Sequence, residues 1–569
     1  MNVLELCAKL LIEYKTHPLD STQLEIPQNR KMWDCSLPCF HFAKQWRETP
    51  QQIAEQLAYD MSPLLEHSEI WYRIEAVWWY LNFYLKTSYL ATMLFHILEE
   101  TKQSHARFPP TGETILVESP WPNTNKPLHL WHVRNMLLGN ALKNTLKAVG
   151  HTVHSVDIVN DRWIHISKSM LAYQLYWNNQ LPDCKPDHFV WKRYVKYAQE
   201  EKNNPALAQQ AQALLQAREE GDDETVALRK LMRERALSWQ KETYKKYGIS
   251  IDKTYYESDH YMLGKVIIQQ GINHGIFTRN DNNHIIYIDP KLGEKIVLRS
   301  DGTAVYMTQD IALWKVRYED RSMDRMIYVV WNEQEDHFKC LFNIFKALQL
   351  PFAPQCHHLS YGMVWLPDWK MKSREWTVID ADDILEETTA TSFEMLKERY
   401  PTTPHTKLQK KAVTIALGAI KFFFLKYDAN KNFVYDKTSS LRFDWETWPY
   451  IQYTYARCCS ILKKSDCAHI DFNTVDKTAY SCDEERQLLA ALVWFPSTLE
   501  HAARTYQPYL IARFLLDIAA TYNSFYHAVP VLAEEDEQRR FARLWLVEAT
   551  RKILKTWLDI LGIDVLEEM

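Results

Sequence analysis

The stretch Val117–Gly139, VESPWPNTNKPLHLWHVRNMLLG, decides how the rest of the chain is read. The preceding Ile115 and Leu116 join Val117 in an apolar run short enough for a buried strand. Pro120, Pro122, Asn123, Asn125 and Pro127 then hold off regular structure. From about His132, Val133, Met136, Leu137 and Leu142 recur at helical spacing. A strand, a loop and a helix start form a common anion-binding arrangement, because the first amides of a helix lack internal partners. His129 and His132 sit where this helix begins. As a metal pair they lack a third ligand at useful spacing. As phosphate donors they suit the loop, and as a bare His-x-x-His they are also consistent with ordinary loop polarity.

The chain has 569 residues, too many for one core, so three or four domains are expected. Hydrophobic content of 46% with 24% charge is that of a water-exposed globular protein. No apolar run approaches the ~20 residues needed to cross a bilayer, and MNVLELCAKLLIEY reads as an amphipathic helix rather than a signal peptide. Ten cysteines without a C-x-x-C pair point to reduced thiols and a cytoplasmic setting. With a net charge of −5, nucleic-acid binding has to come from local basic faces.

Strands are expected near Leu37–Phe42, Tyr80–Leu85, His154–Asn160, Ile285–Asp289 and Lys295–Arg299. Val190–Lys246 has helical periodicity. Helices are also expected at Leu408–Leu425, Tyr450–Lys464, Glu485–Glu500, Pro508–Tyr526 and Glu535–Leu561. In LRSDGTAVYMTQDIALWK, Tyr306 and Asp310 fall four apart on one helical face, where a carboxylate and an aromatic can hold a guanidinium. A helix with a surface aspartate is the plain alternative.

VES-x-x-PNTNKPLHL-x-HVRN closely resembles the first signature of class I aminoacyl-tRNA synthetases, in its arginyl-tRNA synthetase form. The likeness continues through LRSDGTAVYMTQDIALWK, MIYVVWNEQEDHFKCLFNIFKAL, the loop Lys370-Met371-Lys372-Ser373-Arg374, WPYIQYTYARCCSIL and the terminal Met569. It implies an α/β plus all-α protein: an N-terminal α+β tRNA-binding domain at 1–105, a Rossmann-like parallel-sheet catalytic domain at 106–395 with a helical insertion at about 175–250, and a C-terminal helical anticodon-binding bundle at 396–569. The implied activity is ATP-dependent conversion of arginine to arginyl-adenylate and its transfer to the 3′ end of tRNA(Arg), with Mg2+ accompanying ATP and no structural metal. A monomer that activates arginine only with tRNA bound is expected. The context of Tyr306 and Asp310 argues against another class I specificity.

By this resemblance Lys126, His129, His132, Lys370, Lys372 and Arg374 are the catalytic residues. His129, Trp131, His132, Met371 and Ser373 would face ATP. Glu118, Asn123, Tyr306, Asp310 and Gln334 would hold arginine. Tyr80, Asn82, Tyr453, Tyr455, Arg457 and Met569 would contact tRNA. The usual second lysine of the mobile loop falls on Ser373 or Arg374, so the charge on pyrophosphate is left to Lys370, Lys372, Arg374 or Lys126.

Glycine is 13 of 569 residues, about 2.3% against ~7% on average, while tryptophan is 21. Trp131, Trp163, Trp191, Trp331, Trp369, Trp376, Trp448 and Trp557 stand where the family pattern has glycine. Trp33, Trp78, Trp79 and Trp445 join them, Trp121 replaces a small residue, and Trp239 reads as a true tryptophan. At position 131 glycine lets the backbone lie against adenine; an indole covers ~150–250 Å² and would take that place. Overpacking costs ~1–3 kcal/mol per core site. A gene that reads UGA as glycine, translated with a table that reads it as tryptophan, would produce this pattern. The two residues together make about 6.0% of the chain, near the usual glycine share. If the tryptophans are genuine, the chain is instead a catalytically inactive, synthetase-like tRNA-binding protein.

Overall fold

The computed structural model describes Cys7 and residues 24–25, 34–103, 108–124, 127–162, 164–176, 186–365, 380–442, 446–465 and 474–569. The chain forms two compact units. One comprises Met1–Phe108, Arg442–Thr505 and Leu510–Met569; the other is essentially Pro109–Leu441.

In the first unit, β1 (Cys35–Pro38), β2 (Trp71–Val77) and β3 (Tyr80–Leu85) form an antiparallel sheet with β3 in the middle. Trp78 and Trp79 make the turn between β2 and β3, with Val77 paired to Tyr80. The carboxylate of Asp34 ties this sheet to the helical part of the unit by accepting from Arg486 of helix Asp483–Val493. The helical part also contains Trp448–Lys464, Phe495–Thr505, Tyr509–Ala528 and Glu537–Ile560. The single helix expected at Glu485–Glu500 is two, because the second restarts at Phe495 with Pro496 in its first turn, where the missing amide costs nothing.

The second unit is built on a five-stranded parallel sheet: β4 (Thr114–Glu118), β5 (Thr152–Val159), β6 (Lys253–Tyr256), β10 (Arg325–Trp331) and β11 (Cys356–Tyr361), in the order β11-β10-β4-β5-β6. The chain runs outward from β4 to β6, then returns to the other side of β4 for β10 and β11. The strand order therefore reverses between β4 and β10, and ligands of such sheets bind beyond the carboxyl ends of the strands at that point. A smaller antiparallel sheet of β7 (Thr278–Arg279), β8 (Ile285–Asp289) and β9 (Gly293–Leu298) lies between β6 and β10 in the chain.

Three helices, Pro186–Glu201, Ala206–Glu220 and Asp223–Lys246, make up most of the expected insertion. The compact unit continues past the expected limit at 395, because helices Ala381–Arg399 and His405–Leu425 pack on each other and on the helix of the opening stretch. That helix spans Leu130–Ala148 and is buried along almost its whole length. Its Gly139 is required by contact: a Cβ there would collide with the Ser119 side chain. Among the described residues no helix is long and apolar enough to cross a membrane. Eight described cysteines are free thiols; Cys458 is buried and Cys459 partly exposed.

Candidate active site

The carboxyl end of β4 delivers Glu118, then a loop, then helix Leu130–Ala148 with His129 at its N-cap. The backbone amide of His129 donates to Nδ1 of His132 at 3.1 Å, and the two rings lie 3.9 Å apart. In a neutral His132 this fixes the proton on Nε2, the atom a phosphate contact needs. The N-terminal amides of the helix add a favourable dipole for an anion.

Two residues beyond His132, Arg134 is 1% exposed and among the described residues donates to main-chain carbonyls. Nη1 reaches Gly362 O at 2.5 Å; Nη2 reaches Ala429 O at 2.7 Å and Lys431 O at 2.8 Å. The signature helix is thereby tied to the segment that enters β12 (Val364–Trp365), which pairs with β13 (Phe433–Val434). Asn135 adds a second tie, donating to Val329 O of β10 at 2.8 Å.

The tryptophan at 131 does not enter a core. It is 39% exposed, its indole N–H donates to Val364 O at 3.2 Å, and its ring stacks on Trp331 at 6.0 Å and 23°. Trp331 ends β10, so the pair lies at the carboxyl edge of the sheet beside the strand reversal. Overpacking of a core is therefore not what an indole at 131 brings about. Trp448 and Trp557 are fully buried, and their indole N–H groups, with that of Trp121, find no hydrogen-bond acceptor among the described residues. Trp78 has φ 55°, the left-handed region that a bulky residue rarely adopts. It is the first of two turn residues, where a type II′ hairpin takes glycine.

Helix Tyr306–Arg321 places Tyr306 and Asp310 one turn apart at its start. Asp310 Oδ2 lies 2.7 Å from His337 Nε2. Gln334 stands just past β10, at the end of a short 3-10 turn. Glu118, expected among the arginine-holding residues, already has a partner within the chain. It is 1% exposed, and its carboxylate is paired with Arg317, two turns along from Asp310. Burial, aided by Asp310 and Asp157 and opposed by Arg317, raises Glu118 to about 7. Burial likewise holds Asp157, on β5, at about 7. Asn123 bridges to Asn160, and its carbonyl accepts from Gln240 Nε2 at 3.0 Å. Gln240, His337 and Arg317 were not singled out by the sequence; only their placement in the fold marks them.

Of the tRNA candidates, Tyr453 is 37% exposed and lies under the Arg457 guanidinium, which also covers Tyr526. Asn82 and Tyr455 differ from expectation. Asn82 is fully buried in the middle strand of its sheet, and Tyr455 is 3% exposed, so neither presents a surface to RNA as described. Tyr80 opens β3, partly exposed. The tail before Met569 is held by Gln452, which donates to Leu566 O at 2.5 Å and accepts from Leu566 N at 3.0 Å. Lys126, Lys370, Met371, Lys372, Ser373, Arg374, Trp33, Trp163, Trp369, Trp376 and Trp445 lie outside the described residues.

A parallel sheet with a histidine-bearing helix start at its strand reversal, followed by a helical bundle, defines a class I aminoacyl-tRNA synthetase. The family model for the catalytic domain of class I tRNA synthetases of the arginine type matches residues 94–437. The arginyl-tRNA synthetase N-terminal domain matches 3–85, and the DALR anticodon-binding domain matches 451–569. The arginine–tRNA ligase of Treponema denticola is 36% identical, covering 99% of this chain and 96% of its own length. That of Flavobacterium psychrophilum is 41% identical over 80% of each chain. The Thermus thermophilus arginyl-tRNA synthetase structure superposes with a TM-score of 0.83 at 27% identity, covering 100% of this chain and 99% of its own. The chain belongs to the arginyl-tRNA synthetase family.

Proposed function

We propose that this chain joins arginine to ATP as arginyl-adenylate and transfers the arginyl group to the terminal ribose of tRNA(Arg). The observation that supports the reading is the His129–His132 helix start at the strand reversal, together with Asp310 held by His337 three residues past Gln334 at the end of the neighbouring strand β10. The arginine carboxylate attacks the α-phosphate and pyrophosphate leaves. The ribose hydroxyl then attacks the acyl carbon, and AMP leaves. No nucleophilic side chain is needed; the site supplies positioning and charge stabilisation.

Asp310 takes the guanidinium as a charge-assisted pair, with Tyr306 against it and Gln334 and Asn123 on the remaining polar groups. Glu118, engaged by Arg317, forms the acidic floor rather than the contacting carboxylate. His129 and His132 donate to phosphate oxygens. Lys126, Lys370, Lys372 and Arg374 supply positive charge to pyrophosphate; Met371 and Ser373 border ATP, which enters with Mg2+. Tyr80, Tyr453, Arg457 and Met569 serve tRNA, and activation requires tRNA. The enzyme acts as a cytoplasmic monomer.

Positions 131 and 331, and those marked by strain or an unsatisfied indole at 78, 448 and 557, are glycine in the protein made by its native cells. The left-handed φ at 78 supports the assignment there independently of the family pattern.

Arginine-dependent exchange of pyrophosphate into ATP, with and without tRNA, tests the activity; exchange with another amino acid but not arginine would overturn it. Peptide mass mapping of the native protein across Lys126–Arg134 tests the glycines. Tryptophan at 131 would favour the tRNA-binding reading without catalysis.

A further inference from the structure

His337 is the third residue of helix Glu335–Ala347, which begins directly after Gln334. Its Nε2 reaches Asp310 Oδ2 at 2.7 Å, and Asp310 is only 8% exposed. An ionised carboxylate only accepts, so Nε2 carries the proton. The backbone beneath His337 is fixed by the next residue. Phe338 is 1% exposed, with its ring 4.9 Å from Tyr328, 4.5 Å from His358 and 6.0 Å from Trp121. A carboxylate offers about four lone-pair sites; His337 occupies one of those on Oδ2.

We propose that His337 is a positioning residue for arginine selection: it fixes the plane of the Asp310 carboxylate, so that the remaining lone pairs meet a guanidinium in one orientation. The inference rests on Asp310 as the guanidinium partner. It links the segment carrying Gln334 to the helix carrying Tyr306 and Asp310 by a hydrogen bond at the carboxylate itself. Without His337 the carboxylate rotates, and a charged planar fork loses more than an uncharged isostere does.

The test uses the full-length protein. Calorimetry gives the Kd of arginine and of citrulline, in which a urea replaces the guanidinium; aminoacylation gives the KM values for arginine and ATP. His337→Ala is expected to raise the arginine Kd and KM about tenfold, the loss of roughly one hydrogen bond to a charged group. The ATP KM should move by less than about twofold, and the preference for arginine over citrulline should fall. His337→Gln, whose amide nitrogen can occupy the Nε2 position, should recover most of the affinity, and the shorter His337→Asn should not. An unchanged arginine Kd in His337→Ala overturns the inference, as does a parallel rise of both KM values. If His337→Ala does not fold, equal arginine affinities of the Gln and Asn variants overturn it, and a better Gln variant supports it. Asp310→Asn separates the two levels: unaltered arginine binding there overturns the guanidinium assignment and His337 with it, while weakened binding leaves His337 to be judged by its own variants.

Discussion

Of the two ends of the proposed site, the guanidinium end has an internal partner for each acid: Asp310 is held by His337, and Glu118 is paired with Arg317. At the phosphate end, Trp131 and Trp331 lie ring on ring beside the helix start. The first end is organised before any ligand arrives; the second carries two large side chains where the proposed function puts adenine. Preorganised polar groups lower the cost of binding, whereas an indole in ligand space must be displaced. The difference separates two kinds of defect. A site missing its polar anchors cannot be recovered by making room, and a site that keeps its anchors behind an obstruction can.

The double replacement Trp131→Gly with Trp331→Gly tests that contrast hardest. The ATP KM of the chain as written is expected to fall at least about 100-fold, or ~2.8 kcal/mol, while the arginine Kd stays within about twofold. Equal effects on both ligands would end the distinction between the two ends. Asp310→Asn is expected to raise the arginine KM about 30-fold, within the ~1.5–3 kcal/mol of a hydrogen bond to a charged group, and to leave ATP binding nearly alone. Steady-state kinetics with each substrate varied in turn reads both.

Asp157 sharpens the electrostatic side of the comparison. Its carboxyl, raised by burial from the usual 3.8 to about 7, is protonated in the folded chain over a range where the unfolded chain has lost its proton. Folding then takes up a proton, so this contribution to stability declines as pH rises from about 4 to 7. Asp157→Asn should flatten that decline and be the more stable form at pH 8 by about 2 kcal/mol, read by urea denaturation across the pH range. The smallest effect is expected at the turn between β2 and β3. Trp78→Gly should stabilise by about 0.5–1 kcal/mol, because relief of a left-handed bulky residue exceeds the entropy that glycine adds to the unfolded chain. A loss of stability there would argue that tryptophan is the native residue at 78.

The helix start at the first signature was legible because proline and asparagine exclude regular structure up to Leu128 and the apolar spacing begins at once. The pair Tyr306 and Asp310 was legible because four-residue spacing on a helix is a geometric fact. The Arg317 partner of Glu118 was not legible, because it lies far along the chain and no local pattern announces that a buried carboxylate is already engaged. His337 and Gln240 escaped for the same reason. Asn82 and Tyr455 were assigned to RNA, yet each is buried; the alternation that marks an exposed face is lost in a strand whose residues after the first are all covered. The tryptophans were legible as anomalies of composition, but which of them sit in open space and which in a core required the fold.

Arg134 ties three stretches of main chain to one guanidinium: the histidine helix, Gly362 before β12, and the carbonyls of Ala429 and Lys431. Carbonyls cannot be changed by substituting their own side chains, so that seam is invisible to alanine scanning along two of its three strands. It will show itself instead through proline or insertion variants near 428–431, which should mimic lesions of a histidine motif almost three hundred positions upstream. In genetic terms these distant segments form one complementation target.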